Sequence, residues 1–363
     1  MAPFENLENR VSSFIDQAIH ERVFSGCSLA VSQGKESFLK NFGTLSWDDS
    51  EQVTEETFFD LASLSKPLAT SLAVFALLSQ KKIGLDDRLG HLLQQKIPKD
   101  KEEITLFQLL NHCSGLAAHR HFYKIVEKIA KEQRKAEILR LILDGPLEFA
   151  PGKKDIYSDL GFILLGLIVE KQTGLALDGA VKKYIYQPLG TADKILYNPL
   201  EKDVTNFAAT EECPWRQRVL RGEVDDQNTW VVGGVSGQAG LFGRGRDVLN
   251  MVRNLIEIAS GAKKHPFIDQ GLLKKAMSRQ GEIKGSSWGL GFDTPSETGS
   301  SAGQFISPRS CGHLGFTGTS FWHDFDRDIT VVMLTNRIHP SADNDKIKAF
   351  RPRFHDLVFG TLA

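Results

Sequence analysis

Apolar and polar positions along the chain change period more than once, and the changes mark out its elements. The opening stretch MAPFENLENRVSSFIDQAIHERVF sets apolar residues at helical spacing among charges and predicts an amphipathic helix. CSLAVSQ and ESFLKNFG then read as two strands joined by a turn at Gly34. A long apolar helix is predicted from about Ser63 to Ser79. From there to about Leu189 the period is almost wholly helical, in TLFQLLNH, VEKIAKEQRKAEILRLILDG, DLGFILLGLIVEKQTG and LDGAVKKYIYQPLG. The glycine-rich run VVGGVSGQAGLFGRG predicts tight turns, and DVLNMVRNLIEIASG after it is helical again. Strand signals return in SWGLGFDT, GTSFWHDF and DITVVMLTN, and KIKAFRPRFHDLVFGTL closes the chain as a helix.

Strands at both ends around a helical middle do not make a series of βαβ units. They predict an α+β fold, with an antiparallel sheet drawn from both termini, terminal helices on it, and a mostly helical region inserted between. On that division residues 1–80 and 280–363 form the sheet lobe and 81–279 the helical lobe, as one catalytic unit with a cleft between them. No internal repeat or low-complexity tract interrupts it.

The formal net charge of −1 supplies no global field for nucleic acid or an anionic membrane. Lys81-Lys82 and Lys274-Lys275 read as solvated helix faces. The apolar runs LATSLAVFALL and GFILLGLIV are too short to span a bilayer and fit buried helices. No apolar stretch behind a basic start marks a secretory signal, so the expected location is the cytoplasm, or the periplasm had the natural start been replaced. Cys27, Cys113, Cys213 and Cys311 form no CxxC pair and read as reduced, mostly buried thiols. Asp225-Asp226 and His119/His121 lack a recurring ligand spacing, and no metal or cofactor is expected. The oligomeric state stays open.

Ser-x-x-Lys places a hydroxyl and an amine on one helical face. It occurs at Ser32–Lys35, Ser37–Lys40, Ser63–Lys66, Ser79–Lys82 and Ser260–Lys263. The first two fall in strands, and Ser79 and Ser260 at exposed helix ends. Ser63 alone follows a strand-like run, TFFDLAS, and opens an apolar helix, with Pro67 suited to the first turn. A buried Lys66 can lose its charge and act as a base. The competing reading makes Ser63 a helix cap and Lys66 a solvated side chain.

Tyr157 stands in APGKKDIYSDLGFILLG on a loop just before a buried helix, with Ser158 or Asp159 as its N-cap. A phenol there can bond a serine and be drawn toward phenolate by Lys66. His313 opens H-L-G, where Gly315 permits close approach of a substrate backbone. The N–H of Phe316 can join that of Ser63 as an oxyanion hole. Arg337, in LTNRIHP, offers a cation for a substrate carboxylate. The single G-x-S-x-G, at Gly299–Gly303 around Ser301, lacks the strand and helix that a nucleophile elbow needs.

With those residues in place, nearly the whole chain resembles the β-lactamase-related serine hydrolases: class C β-lactamases, D-alanyl-D-alanine peptidases of the same fold, and related esterases and amidases. S-L-S-K, Y-S-D, ITLFQLLNHCSGL, APGKKDIYSDLGFILLGLIVEKQTG and YQPLG carry the likeness. It implies a β-lactamase/penicillin-binding-protein-like fold and an acyl-enzyme on Ser63. Lys66 and Tyr157 share its activation, and His313-Leu314-Gly315 line the sheet edge of the pocket. Which of Lys66 and Tyr157 is the base stays open. ATEECPWRQRVLRGEVDDQN, GGVSGQAGLFG and GFTGTSFW resemble a subgroup associated with muropeptide recycling. Asp225 and Gln238 depart from it, standing where its members often have His. Asp159 replaces the Asn common in β-lactamases and, as a carboxylate, cannot donate to a substrate carbonyl. The expected activity is that of an esterase or amidase on a small acyl, peptide or muropeptide-like substrate. Alternatives are a class C-like β-lactamase or D-alanyl-D-alanine carboxypeptidase, and, from another class, a catalytically silent ligand-binding homologue.

Overall fold

The computed structural model describes residues 3–48, 50–202 and 204–363. Helix α1 (Pro3–His20) leads into strands β1 (Gly26–Gln33) and β2 (Glu36–Gly43), whose hairpin turns at Gly34 with φ +58°. The serine segment follows as a 3₁₀ turn (Ala62–Leu64), a wide π-type turn (Lys66–Thr70) and helix α2 (Ser71–Ser79). The helical middle includes α3 (Asp159–Thr173) and α4 (Gly245–Ser260), and the chain ends in β3 (Ser310–Leu314), β4 (Ser320–Asp324), β5 (Ile329–Thr335) and α5 (Ile347–Thr361).

The sheet is antiparallel, in the order β2-β1-β5-β4-β3, so the N-terminal hairpin pairs with the C-terminal strand, Cys27 facing Thr335. Alternation along the strands gives the sheet two apolar faces. Leu29 and Val31 of β1, Trp322 of β4 and Val331 and Met333 of β5 meet Leu7, Val11 and Ile15 of α1 and Phe350, Phe354 and Val358 of α5. Ala30, Val332 and Leu334 point the other way into the larger core, which includes Val248, Val252 and Leu255 of α4. The expected α+β fold with terminal helices on a two-ended antiparallel sheet is what forms.

Two helices cross the division drawn from periodicity. α4 lies within the 81–279 stretch yet rests on β1 and β5, and α2 lies before residue 80 yet contacts α3. Each goes where its apolar surface is covered, and α2 is buried on every side. Two local expectations need correction. SWGLGFDT is not a strand; it makes only single bridges, Trp288 to Asp293 and Asp293 to Gly312. The glycine-rich run hides a short strand, Leu241–Gly243, between Phe59–Asp60 and Ile195–Tyr197. Its length is too short for alternation to show.

The four cysteines are unpaired and buried. The segment Ala62–Ser79 is long and apolar enough to cross a membrane, but most of it is enclosed by the protein itself.

Candidate active site

Ser63 owes its position to strain and to ties on both sides. Ala62 before it is a non-glycine residue at φ +46°, a conformation that persists only where its surroundings enforce it. The Asp60 carboxylate holds the Ala62 N–H at 2.8 Å, and Leu61 donates its own N–H to Leu241 O at 2.8 Å. The hydroxyls of Thr317 and Thr319, from the turn after β3, donate to the carbonyls of Asp60 and Leu61 at 2.7 and 3.1 Å. Gly315 is needed there. A Cβ on it would lie 2.0 Å from Thr319 Oγ1 and 2.7 Å from Leu61 O. A close approach at Gly315 is thus made by the protein's own backbone, and the residue also lines the cleft.

One helical turn on, Lys66 is fully buried, and its Nζ lies 2.9 Å from Ser63 Oγ, 2.7 Å from Asp159 Oδ1 and 3.1 Å from Gln238 O. Burial opposes its charge, but Asp159 and Tyr157 outweigh burial and hold the ammonium above its ordinary value. The sequence expectation of a lysine that loses its charge is therefore reversed by a carboxylate 93 residues away. Burial likewise works against Asp159, yet Lys66 and a 3.1 Å hydrogen bond from His119 Nδ1 keep it well below the usual carboxylate range. The same bond raises His119. Asp159 is thus turned toward Lys66 and His119, as a counter-ion within the site.

Tyr157 is held by its neighbours in sequence. The N–H of Ile156 donates to His112 O at 2.9 Å, and that of Ser158 to His112 Nδ1 at 3.0 Å, so one histidine clamps the loop on both sides of the tyrosine. Ser158 then caps α3, accepting from the Gly161 N–H at 3.2 Å. The phenol ring stacks on Trp288 at 5.3 Å between centroids, and Lys66 Nζ lies 4.7 Å from its centroid. Burial pushes the phenol up, and the Lys66 ammonium pulls it down without cancelling that effect.

His313, on β3, is buried, with Nδ1 2.8 Å from Leu314 O. Burial, aided by Lys66, lowers it to about 3, so the ring is neutral and presents an unpartnered Nε2. Ser63, Tyr157, Asp159, His313, Gly315, Phe316 and Arg337 all line one cleft of about 730 Å³. Among the described residues the Phe316 N–H has no backbone carbonyl partner, as an oxyanion donor requires. Arg337 is largely spoken for: Nε donates to Phe316 O, Nη1 to Ala342 O and Asn344 O, and the guanidinium lies over the Phe316 ring. Ser301 is not among the residues lining the cleft.

Sequence reasoning gave no role to His112, set His119 aside, and overlooked Arg351. Arg351 occupies the buried stripe of α5 with Ile347, Phe350 and Phe354 and borders the cleft with its Nε unpartnered. A lone charge on an apolar helical stripe was the available signal. Among the described residues no three potential ligands converge on a metal position.

The beta-lactamase family profile matches residues 11–351. An Escherichia coli K12 protein named "Putative D-alanyl-D-alanine carboxypeptidase" is 33% identical over 328 residues, 84% of this chain and 75% of its own. Two solved structures share the fold at low identity. The hydrolase EstCE1, described as having promiscuous acyltransferase activity, is 22% identical with a TM-score of 0.77, covering 98% of this chain and 99% of its own. The octameric penicillin-binding protein homologue of Pyrococcus abyssi is 19% identical with a TM-score of 0.75, covering 97% and 77%. Sequence match, fold and the order of the motifs agree, and the chain belongs to the beta-lactamase family as one of its serine hydrolases.

Proposed function

We propose that Ser63 attacks the carbonyl of an ester or amide to give an acyl-enzyme, with Tyr157 taking the serine proton and Lys66 serving as a fixed cation. The observation that carries this is the saturation of Lys66. Its Nζ faces three acceptors, on Ser63, Asp159 and Gln238, and an ammonium so engaged has no lone pair to offer. Ser63 Oγ therefore accepts from Lys66 and directs its own proton to Tyr157. Tyr157 must first give up its proton, which burial disfavours and the adjacent ammonium favours; reactivity accordingly rises with pH.

As the Oγ–carbon bond forms, the carbonyl electrons move to the oxygen, toward the N–H groups of Ser63 and Phe316. Collapse expels the alcohol or amine, which takes the proton held by Tyr157. Water gives a proton to Tyr157 as it attacks the acyl carbon, and collapse releases the acid while Tyr157 returns that proton to Ser63 Oγ. Peptides with a free carboxylate, the class named by the E. coli relative, have an observation in their favour. Arg351 borders the cleft, its Nη2 held by the carbonyls of Gly315 and Thr319 and its Nε buried without a partner, and burial lowers it only to about 9, so it remains a positive charge beside the cleft at neutral pH.

A fluorophosphonate probe followed by peptide mass mapping tests the nucleophile. Label on Ser63, abolished by Ser63→Ala in a protein that still folds, is the expected result. Label on Ser301 would overturn the assignment.

A further inference from the structure

One wall of the cleft gathers four carboxyl groups. Asp60, Glu211, Asp225 and Asp226 all border it. Asp60 is satisfied by two main-chain donors, the N–H of Ala62 at 2.8 Å and that of Asp225 at 2.7 Å. Asp226 accepts from the Thr229 N–H at 2.6 Å and from Gln238 Nε2 at 3.1 Å, and Glu211 accepts from Gln227 Nε2 at 3.2 Å. All these donors are neutral.

Asp225 is different. It is only 5% exposed, and its Oδ1 has no hydrogen-bond partner although it lies at the cleft wall. The two arginines nearby do not supply one. Arg216 spends its Nη atoms on Glu223 and on the carbonyls of Val224 and Asp225 and leaves its own Nε buried without a partner, and Arg337 spends Nε and Nη1 on the carbonyls of Phe316, Ala342 and Asn344. Arg216 and Arg337 act on the carboxyl only through space, and a buried carboxylate oxygen left without a hydrogen-bonding partner is costly.

We propose that Asp225, flanked by Glu211 and Asp226, receives a protonated primary amine carried by the substrate. The site lies on the wall of the same cleft as Ser63, joined to the nucleophile segment through the single carboxylate of Asp60, and the inference rests on Ser63 being the nucleophile. An ammonium brings three donors and a unit charge, which matches acceptors set around a pocket. A metal ion does not fit, because among the described residues no three ligands converge. With the site empty, burial and then the neighbouring Asp60 and Glu211 push the Asp225 carboxyl well above its usual range, with Arg216 opposing. Asp60 itself is raised to about 6, chiefly by burial. The empty site therefore retains protons that an incoming ammonium would displace.

Two 4-nitrophenyl alkylphosphonates of equal chain length, one ending in a methyl group and one in a primary ammonium, provide the test. Each bonds its phosphorus to Ser63 Oγ and releases nitrophenolate, so second-order rate constants are read directly by absorbance, and mass mapping confirms the residue. The ammonium probe is expected to react at least about tenfold faster with the native protein. Asp225→Asn should bring the ratio of the two rates close to one. Glu211→Gln, read the same way, should lower the ratio in part, and serves if Asp225→Asn does not fold. Equal rates with the native protein, or a preference that survives both substitutions, would overturn the amine site alone. Failure of both probes to modify Ser63 would instead remove the nucleophile assignment and this site with it.

Discussion

Replacing Asp159 by Asn removes the charge that keeps a buried lysine ionised, and the size of the effect follows from the geometry. Lys66 Nζ and Asp159 Oδ1 are 2.7 Å apart, with side chains 0% and 20% exposed. Unit charges at that separation attract by ~6 kcal/mol at an effective dielectric of 20. Desolvation offsets much of this in the intact pair, but removing one partner leaves the other buried alone, which costs about 3–5 kcal/mol. The partial exposure of Asp159 places the expectation at the lower end, about 3 kcal/mol. An unfolding entropy of ~2.1 cal/mol/K per residue then gives a melting temperature lowered by roughly 4 °C for a chain of this length.

Asp159 is depressed in the folded protein, so its contribution is complete above the ordinary carboxylate value of 3.8 and fades as pH falls through the lower folded value. Lys66 is raised, so its share is complete below 10.5 and fades as pH climbs through the higher folded value. The melting gap should thus hold steady from about pH 5 to 9. Calorimetry across that range measures it. His119, raised by its bond to Asp159, should titrate lower in the variant by NMR, and Ser63 should label roughly 10²-fold more slowly. A variant melting within about 1 °C of the parent, with His119 unmoved, would refute Asp159 as the counter-ion.

Lys66→Ala and Tyr157→Phe should each slow Ser63 labelling by about 10²–10⁴-fold and their combination by little more, because groups acting as a unit are non-additive. Simple nitrophenyl esters should be turned over with higher kcat/KM than nitrocefin: Asp159 is an acceptor occupied by Lys66 and His119, so a β-lactam's side-chain amide finds a weak partner there. A side-by-side assay with the order inverted would restore the β-lactamase alternative. Gly315→Ala, whose Cβ would meet Thr319 Oγ1 and Leu61 O at 2.0 and 2.7 Å, should cost about 1–3 kcal/mol and slow labelling by displacing the serine segment; thermal melts paired with labelling rates check both.

What the sequence determined by itself is whatever depends on near neighbours. Ser63 and Lys66 meet because three residues make a helical turn, and the motif was separable from four look-alikes by the apolar run around it. Tyr157 was found because Ser158 and the buried helix behind it mark a capped loop. The hairpin at Gly34 and the amphipathic terminal helices follow from the same short-range patterns, and together they predict the two-ended sheet. The tertiary structure decided everything set by distant partners. Lys66 keeps its charge because α3 brings Asp159 and, through it, His119 against it. Tyr157 is aimed by His112, from a segment that local pattern marked only as helix. Gly315 is fixed by Leu61, and Asp225 is joined to the nucleophile by Asp60 across 165 residues. Spacing along a chain settles which atoms can meet within one turn of helix, while burial, charge state and unpaired acceptors depend on which remote segments close over them.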